Sequence, residues 1–544
     1  MKKTIHIIGP AGGGLNSLEE FLLPALQLKG YFFYAYRNVM SRVRGGSNRV
    51  TITYSTEPLR SFEEKADYLV LMGKERIEDA LEHAKDHALF FVSSEETCDT
   101  HDVIRYPQEQ LRELSSHPGA VGMAALGTLY ALLGLGKSCI ERVTKDTWND
   151  ETKASNRGLV DYGYAMVDAV TERPDNPVRG TIMGGNQAIA IGALSGGLEF
   201  YSAYPMAPST GIISFLASVE EAEGIFTDQA EDEIAAVMSA IGAASAGAKA
   251  MTGTSGGGFA LMTESIGLSA IAKIPLVIVN AQRPGPATGL PTHTAQGDLF
   301  QALGAAQGEF ARVVLAPGDI EESLYAANTA LDLAWKYQIP VIILSDEFLS
   351  DSSVILRHPD YRKLKNERYL AEKGSEYKRY AYDRISGDYK YPGYDESIIL
   401  NDSHTHLEDG FYTERPDLTK KIQDQFIAVL DAIRAELDPP AYYGPPRPKT
   451  LLLGWGSSKG VLKDVVDAAS GVGMLHFKHI YPLPDFDMSL LKSCRLINVE
   501  MNSFGQFGTY LRSKTGLTMD GSILRYDGLP LSTAYVLERL EKLL

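Results

Sequence analysis

Cysteine is nearly absent from this 544-residue chain: only Cys98, Cys139 and Cys494 occur, far apart and never as C-x-x-C. A disulfide framework is therefore not expected, and an iron–sulfur cluster held by this chain alone would lack its usual four thiolates. A basic surplus is missing too, since 69 acidic residues face 52 basic ones for a net charge of −17. That argues against a general nucleic-acid binder, which needs a positive face for phosphates. No run of about 18 apolar residues and no leader-like start are seen, so a cytoplasmic protein without a membrane span is expected. Several catalytic signatures are also lacking: there is no H-E-x-x-H, no defensible Ser/His/Asp order, and no P-loop, because Lys459 in "GWGSSKG" is not followed by Ser or Thr.

What is present is glycine, 51 residues of it, and short apolar runs that alternate with amphipathic, alanine-rich stretches. This pattern predicts α/β layers built on parallel strands. The length exceeds what one core holds, so two to four domains are expected. The opening "KTIHIIGPAGGGLNSLEEFLLPALQLKGYFFYAYR" reads as one βαβ unit, with Gly9, Gly12, Gly13 and Gly14 in a turn whose spacing is not G-x-G-x-x-G. "RNVMSRVRGGSNR" follows, gathering Arg37, Arg42, Arg44 and Arg49 around Gly45-Gly46, which suits an anion, an acidic partner or simply solvent. The expected domains are 1–175, 181–350, a tyrosine- and charge-rich excursion with a proline-rich hinge over 351–445, and a smaller α/β domain over 446–544. "HTHLEDG" at 404–410 reads as an exposed turn in preference to a metal site, and no metal ligand set is expected.

Four segments of the second domain carry the chemistry. "EFYSAYPMAPSTGIISF" is a strand entering a turn stiffened by Pro205 and Pro208, then a new helix. "GIFTDQAEDEIAAVMSAIGAASAGAKAMT" is a small-residue helix, with Asp228 read as its N-cap and Glu231 as the N3 partner of a capping box. "AMTGTSGGGFALMTESIGL" sets Thr254, Ser255 and three glycines at a strand-to-helix turn, where backbone donors suit a polar ligand. "IPLVIVNAQRPGPATGLPTHTAQGDL" ends a buried strand at Gln282-Arg283, where an arginine is placed to hold a carboxylate or to tie down its own loop. Ligands of parallel sheets sit beyond the carboxyl ends of strands, so these loops predict one composite pocket without a chemical engine of its own.

"GNQAIAIGALSGGLEFYSAYPMAPST", "QAEDEIAAVMSAIGAASAGAKAMTGTSGGGFALMTE", "QRPGPATGLPTHTAQGDL" and "VEMNSFGQ" resemble the alpha subunit of 2-oxoacid:ferredoxin oxidoreductases with the gamma domain fused at the N-terminus. "GPAGGGLNS" with "RVRGGSNRVTI" resembles that gamma domain. The resemblance implies a multi-domain, parallel-sheet α/β fold of the thiamine-diphosphate-enzyme type: a pyrimidine-binding domain, a transketolase C-terminal-like domain and an N-terminal α/β gamma domain. It implies oxidative decarboxylation of a 2-oxoacid, 2-oxoglutarate favoured, to acyl-CoA, with thiamine diphosphate shared with a beta subunit and electrons passed to ferredoxin. That beta subunit would hold the diphosphate, Mg2+ and a [4Fe–4S] cluster, in an (alpha-beta)2 heterotetramer, with coenzyme A as co-substrate.

By the same resemblance Glu231 activates the cofactor and Arg283 grips the substrate carboxylate. Tyr204, Pro205, Thr254 and Ser255 line the cofactor, and Ala207, Pro208 and Ser209 line the substrate. The sequence departs from the family pattern twice. Ala207 stands where the family loop Y-P-I-T-P-S has threonine, and Ala287 removes a second hydroxyl from the arginine loop. Two other readings stay open on the residues: a binding subunit that has lost catalysis, and a self-sufficient thiamine enzyme of transketolase type, which the missing G-D-G motif disfavours.

Overall fold

The computed structural model describes every residue except 1, 11–12, 39–47, 74–75, 94–97 and 116–118. Gly12, Arg42, Arg44, Gly45 and Gly46 therefore lie outside the described residues. The chain forms two units, Met1–Met183 with Ser352–His358, and Gly184–Asp351 with Pro359–Leu544.

The first unit is built on a mixed sheet. Lys3–Gly9 and Phe32–Asn38 are parallel to each other, as the opening pattern predicts, but Asn48–Ser55 lies between them and pairs antiparallel with both. The expected single βαβ unit is thus a helix crossover, Leu15–Leu28, with an antiparallel strand inserted. Ser352–Leu356, which sequence pattern assigned to the excursion, returns to this sheet beside Phe32–Asn38.

In the second unit six parallel strands lie in the spatial order Val313–Leu315, Pro340–Asp346, Leu276–Gln282, Ala250–Thr254, Phe200–Ala203 and Phe226–Gln229. His479–Tyr481 adds an antiparallel edge. Continuous apolar strands are what a sheet covered on both faces requires. Val277 and Val279 enter one core with Ile343, whereas Leu276 and Ile278 enter the opposite core with Ile342, Phe259 and Trp455. The second of these cores is shared with the C-terminal sheet, whose strands Thr450–Trp455, Val472–Phe477 and Arg495–Glu500 were legible. Its two short outer strands, Ala441–Tyr443 and Gly521–Leu524, were not.

The tyrosine-rich excursion is ordered, with little regular structure before the 21-residue helix Pro416–Glu436. Tyr380 and Tyr389 are buried, and the Tyr389 hydroxyl donates to the Ala244 carbonyl at 2.8 Å. His406 stacks on Tyr380 with ring centroids 3.9 Å apart and faces Asp402, and no metal-binding group of three such side chains occurs among the described residues. Lys459 is held by Asp319 and, at 2.6 Å, by Glu322. No helix among the described residues is long and apolar enough to cross a membrane.

Candidate functional site

The site forms where strands Phe200–Ala203, Ala250–Thr254 and Leu276–Gln282 end side by side. Two prolines and one internal clamp shape the first loop. Asn186 Nδ2 donates to the Pro208 carbonyl at 2.8 Å, and the Ser209 N–H and hydroxyl both donate to the Met206 carbonyl, at 3.0 and 2.8 Å. Ser209 is buried with its hydroxyl turned into the loop, while Tyr204 and Ala207 are exposed and Pro205 is half-buried. Arg283 crosses to this loop, its Nη1 donating to the Ala207 carbonyl at 2.7 Å. Burial lowers the guanidinium from its ordinary value, against the opposing attraction of Asp298 and Glu233. One donor is thereby fixed, and the rest of the fork is left for a carboxylate.

Thr254 and Ser255 are fully buried at the neighbouring strand end. The Ser255 hydroxyl points at the Met206 sulfur at 2.7 Å, and the Thr254 hydroxyl lies 3.7 Å from it. Met206, which sequence reasoning passed over, therefore ties the first loop to the second. Helix Gly256–Leu261 begins at once, so the three glycines form its first turn. A Cβ at Gly258 would collide with Thr254 Oγ1 and stand 2.6 Å from Glu233 Oε1.

The expected capping box is overturned. Phe226–Gln229 is a strand, and the Asp228 carboxylate accepts from the Ser202 hydroxyl at 2.7 Å. The helix is Glu233–Ser245, with Asp232 as N-cap accepting from the Ala235 N–H at 2.8 Å. Glu231 consequently lies exposed on the turn before the helix, and Glu233, at 4 % exposure, is the acid that enters the site, its Oε1 without a hydrogen-bond partner. The signal was in the sequence. Glu233, Ala236, Val237, Ala240, Ile241 and Ala244 repeat with helical period on the buried face, and Glu231 precedes the register.

Asp298 and Asn280 complete the group. Asn280 Nδ2 donates to Asp298 Oδ2 at 3.2 Å, while Asn280 Oδ1 is buried without a partner. Sequence pattern marks neither of them, although both belong to the segment "IPLVIVNAQRPGPATGLPTHTAQGDL". Only glycine at 258 leaves room for the Thr254 and Glu233 side chains, and the Glu233 oxygen they leave buried without a partner is the kind of carboxyl group that suits the aminopyrimidine of thiamine diphosphate.

Residues 191–421 match the family described as pyruvate flavodoxin/ferredoxin oxidoreductase, thiamine diphosphate-binding, and residues 4–166 that described as pyruvate ferredoxin/flavodoxin oxidoreductase. Fold and site define an α/β chain of the thiamine-diphosphate oxidoreductase class. The alpha subunit of 2-oxoacid:ferredoxin oxidoreductase from Saccharolobus solfataricus is 28% identical over 99% of this chain and 98% of its own length. The alpha subunit of 2-oxoacid:ferredoxin oxidoreductase 2 from Aeropyrum pernix is 30% identical over 80% of this chain and 75% of its own. A solved 2-oxoglutarate:ferredoxin oxidoreductase from Magnetococcus marinus, with 2-oxoglutarate, coenzyme A and succinyl-CoA bound, aligns with a TM-score of 0.91 at 26% identity, covering 100% of this chain and 99% of that one. This chain belongs to the 2-oxoacid:ferredoxin oxidoreductase family as an alpha subunit.

Proposed function

We propose that this subunit, with a beta subunit, converts a 2-oxoacid and coenzyme A to acyl-CoA and carbon dioxide and passes two electrons to ferredoxin, with 2-oxoglutarate as the favoured substrate. The observation that carries the reading is Glu233, in the first helical turn beyond the edge strand Phe226–Gln229 with a buried carboxyl oxygen that has no partner, and Arg283, at the end of Leu276–Gln282 with the charge of Glu233 acting on a guanidinium that spends one donor on Ala207. The Magnetococcus marinus structure supports the substrate class by its bound 2-oxoglutarate.

Thiamine diphosphate, when bound, supplies the nucleophilic carbon that adds to the 2-oxo group. Glu233 takes the activating role that resemblance gave to Glu231: buried at the first turn of its helix, it holds a proton at Oε1 against a ring nitrogen. Arg283 grips the carboxylate that leaves as carbon dioxide, its planar fork orienting the bond to be broken. The Pro205–Pro208 loop, pinned by Asn186 and Met206, keeps that geometry fixed, where small displacements cost rate.

A partner is supported by the outer face of the Glu233 helix. Ile234 and Met238 are exposed at 50% and 40%, and a Cβ at Gly242, next in the same stripe, would meet open space. Small and apolar residues four apart on the helix that bears the acid suit close packing of another subunit. We read that subunit as the beta chain of an (alpha-beta)2 assembly, holding Mg2+ and the [4Fe–4S] cluster that this chain's three free thiols do not provide. Free thiols also fit a cytoplasmic setting.

The test is co-expression with the candidate beta subunit and a dye-reduction screen across 2-oxoacids. Coenzyme A-dependent reduction with 2-oxoglutarate is expected. Activity confined to other 2-oxoacids would revise the substrate, and none with any 2-oxoacid would overturn the reading.

A further inference from the structure

The loop that carries Arg283 leaves its strand at Gln282 and closes at Asp298, whose N–H donates to Gln282 Oε1 at 3.1 Å. Gln282 is itself pinned, donating to the Ser345 carbonyl at 3.0 Å on the next strand. The returning half of the loop meets the chain just beyond the carboxyl ends of three neighbouring parallel strands of the C-terminal sheet, Thr450–Trp455, Arg495–Glu500 and Gly521–Leu524. Gln296 is the main clamp. It is fully buried, and all four of its polar groups bond to that sheet's strand ends. Its N–H donates to the Met501 carbonyl at 2.7 Å, and its Oε1 accepts from the Met501 N–H at 3.0 Å. Its Nε2 donates to the Trp455 carbonyl at 2.9 Å, and its own carbonyl accepts from Asn502 Nδ2 at 3.0 Å. Gly456 makes room for the amide, since a Cβ there would stand 2.7 Å from Gln296 Nε2.

The contacts run on to the residue beside Arg283. The Thr294 N–H donates to the Gly528 carbonyl at 3.1 Å, and Leu290 and His293 close on Gly528 so tightly that a Cβ there would stand 3.1 Å from Leu290 Cδ1. The Leu290 N–H in turn donates to the carbonyl of Pro284 at 3.0 Å. We propose that Gln296 is a positioning residue for substrate binding: by clamping the returning half of the loop to the C-terminal sheet, it fixes the backbone from which Arg283 reaches the Ala207 carbonyl and the substrate carboxylate. The inference rests on the reading of Arg283 as the carboxylate grip. Gln282 holds the backbone before Arg283, and the clamp holds the backbone after it through Leu290 and Pro284. A guanidinium fixed on both sides offers its remaining donors in one orientation, where a displacement of about 1 Å can cost up to roughly a hundredfold.

The experiment measures KM and kcat for the 2-oxoacid, and KM for coenzyme A, on the assembled complex. Gln296→Met keeps the side-chain volume and removes its hydrogen bonds. It should raise KM for the 2-oxoacid about tenfold, lower kcat by less, and leave KM for coenzyme A native. The decisive reading is a double-mutant cycle: once Arg283→Ala has removed the grip, adding Gln296→Met should change KM no further, because the clamp acts through that side chain. Gly456→Ala, which crowds the same amide from the C-terminal sheet, should reproduce both results more weakly. A native KM in Gln296→Met, a parallel rise in KM for coenzyme A, or a rise that persists in the Arg283→Ala background overturns the proposal. If Gln296→Met does not assemble, the same outcomes in Gly456→Ala decide it. Failure of the underlying reading looks different: Arg283→Ala alone would then leave KM for the 2-oxoacid native.

Discussion

Two buried glutamates, Glu233 and Glu500, occupy similar positions in the second unit and are treated in opposite ways. Each sits by the first turn of a helix at the carboxyl edge of a parallel sheet. Glu500 accepts from Trp455 Nε1 at 3.2 Å, Asn498 Nδ2 at 2.6 Å, Asn502 Nδ2 at 2.7 Å, and the N–H groups of Phe507 and Gly508 at 2.9 and 3.0 Å. Both of its oxygens accept from donors, and the positive end of helix Gln506–Thr515 lies beside them. Glu233 has an oxygen with no partner at all. A buried acid surrounded by donors holds a domain together, and the unpartnered oxygen of Glu233 is the one that the proposed cofactor role would use.

This contrast can be broken by experiment. Glu233→Gln should lower 2-oxoacid-dependent dye reduction by roughly a hundredfold or more with unfolding of the subunit little changed, because it removes the transferable proton and keeps the shape. Near-native turnover would move the activating role elsewhere, and Glu231→Gln, at the exposed position, is the direct comparison and should be close to silent. Arg283→Ala should raise KM for the 2-oxoacid about ten- to a hundredfold, more than it lowers kcat; an unchanged KM would separate Arg283 from the substrate.

Glu500→Ala is expected to act on stability instead. Stranding its buried donors should cost roughly 3 kcal/mol, seen as an earlier denaturant midpoint. A stable but inactive Glu500 variant would erase the distinction between the two acids. The smallest effect tests the outer face. Gly242→Ala should stabilise the isolated chain by about 0.5–1 kcal/mol through helix propensity, yet weaken assembly with the beta subunit, as sedimentation of the mixture would show.

Much of the fold was legible because it is local. The apolar runs of Leu276–Gln282 and Pro340–Asp346 read as buried strands, and two prolines in four residues set a stiff loop between Ala203 and Thr210. Helix Pro416–Glu436 was obscured by the polar stretch that leads into it, since its apolar residues mark only one narrow face. The candidate site is half legible: the end of a buried strand marks Arg283, whereas the capping-box pattern of Asp228 and Glu231 starts the helix too early, and the structure has Glu231 exposed and Glu233 buried. Strand pairing decided that case. Phe226–Gln229 joins Phe200–Ala203 through tertiary hydrogen bonds that no local pattern announces.

The sequence by itself determined the periodicities, the loops and the kinds of side chain available at each strand end. Only the tertiary structure decided which of them meet. Glu233, Asp298, Met206 and Arg283 lie up to 92 residues apart along the chain and come together because parallel strands bring distant carboxyl ends to one edge. The burial of Glu233 and the unpartnered state of its Oε1 exist only once those elements have packed.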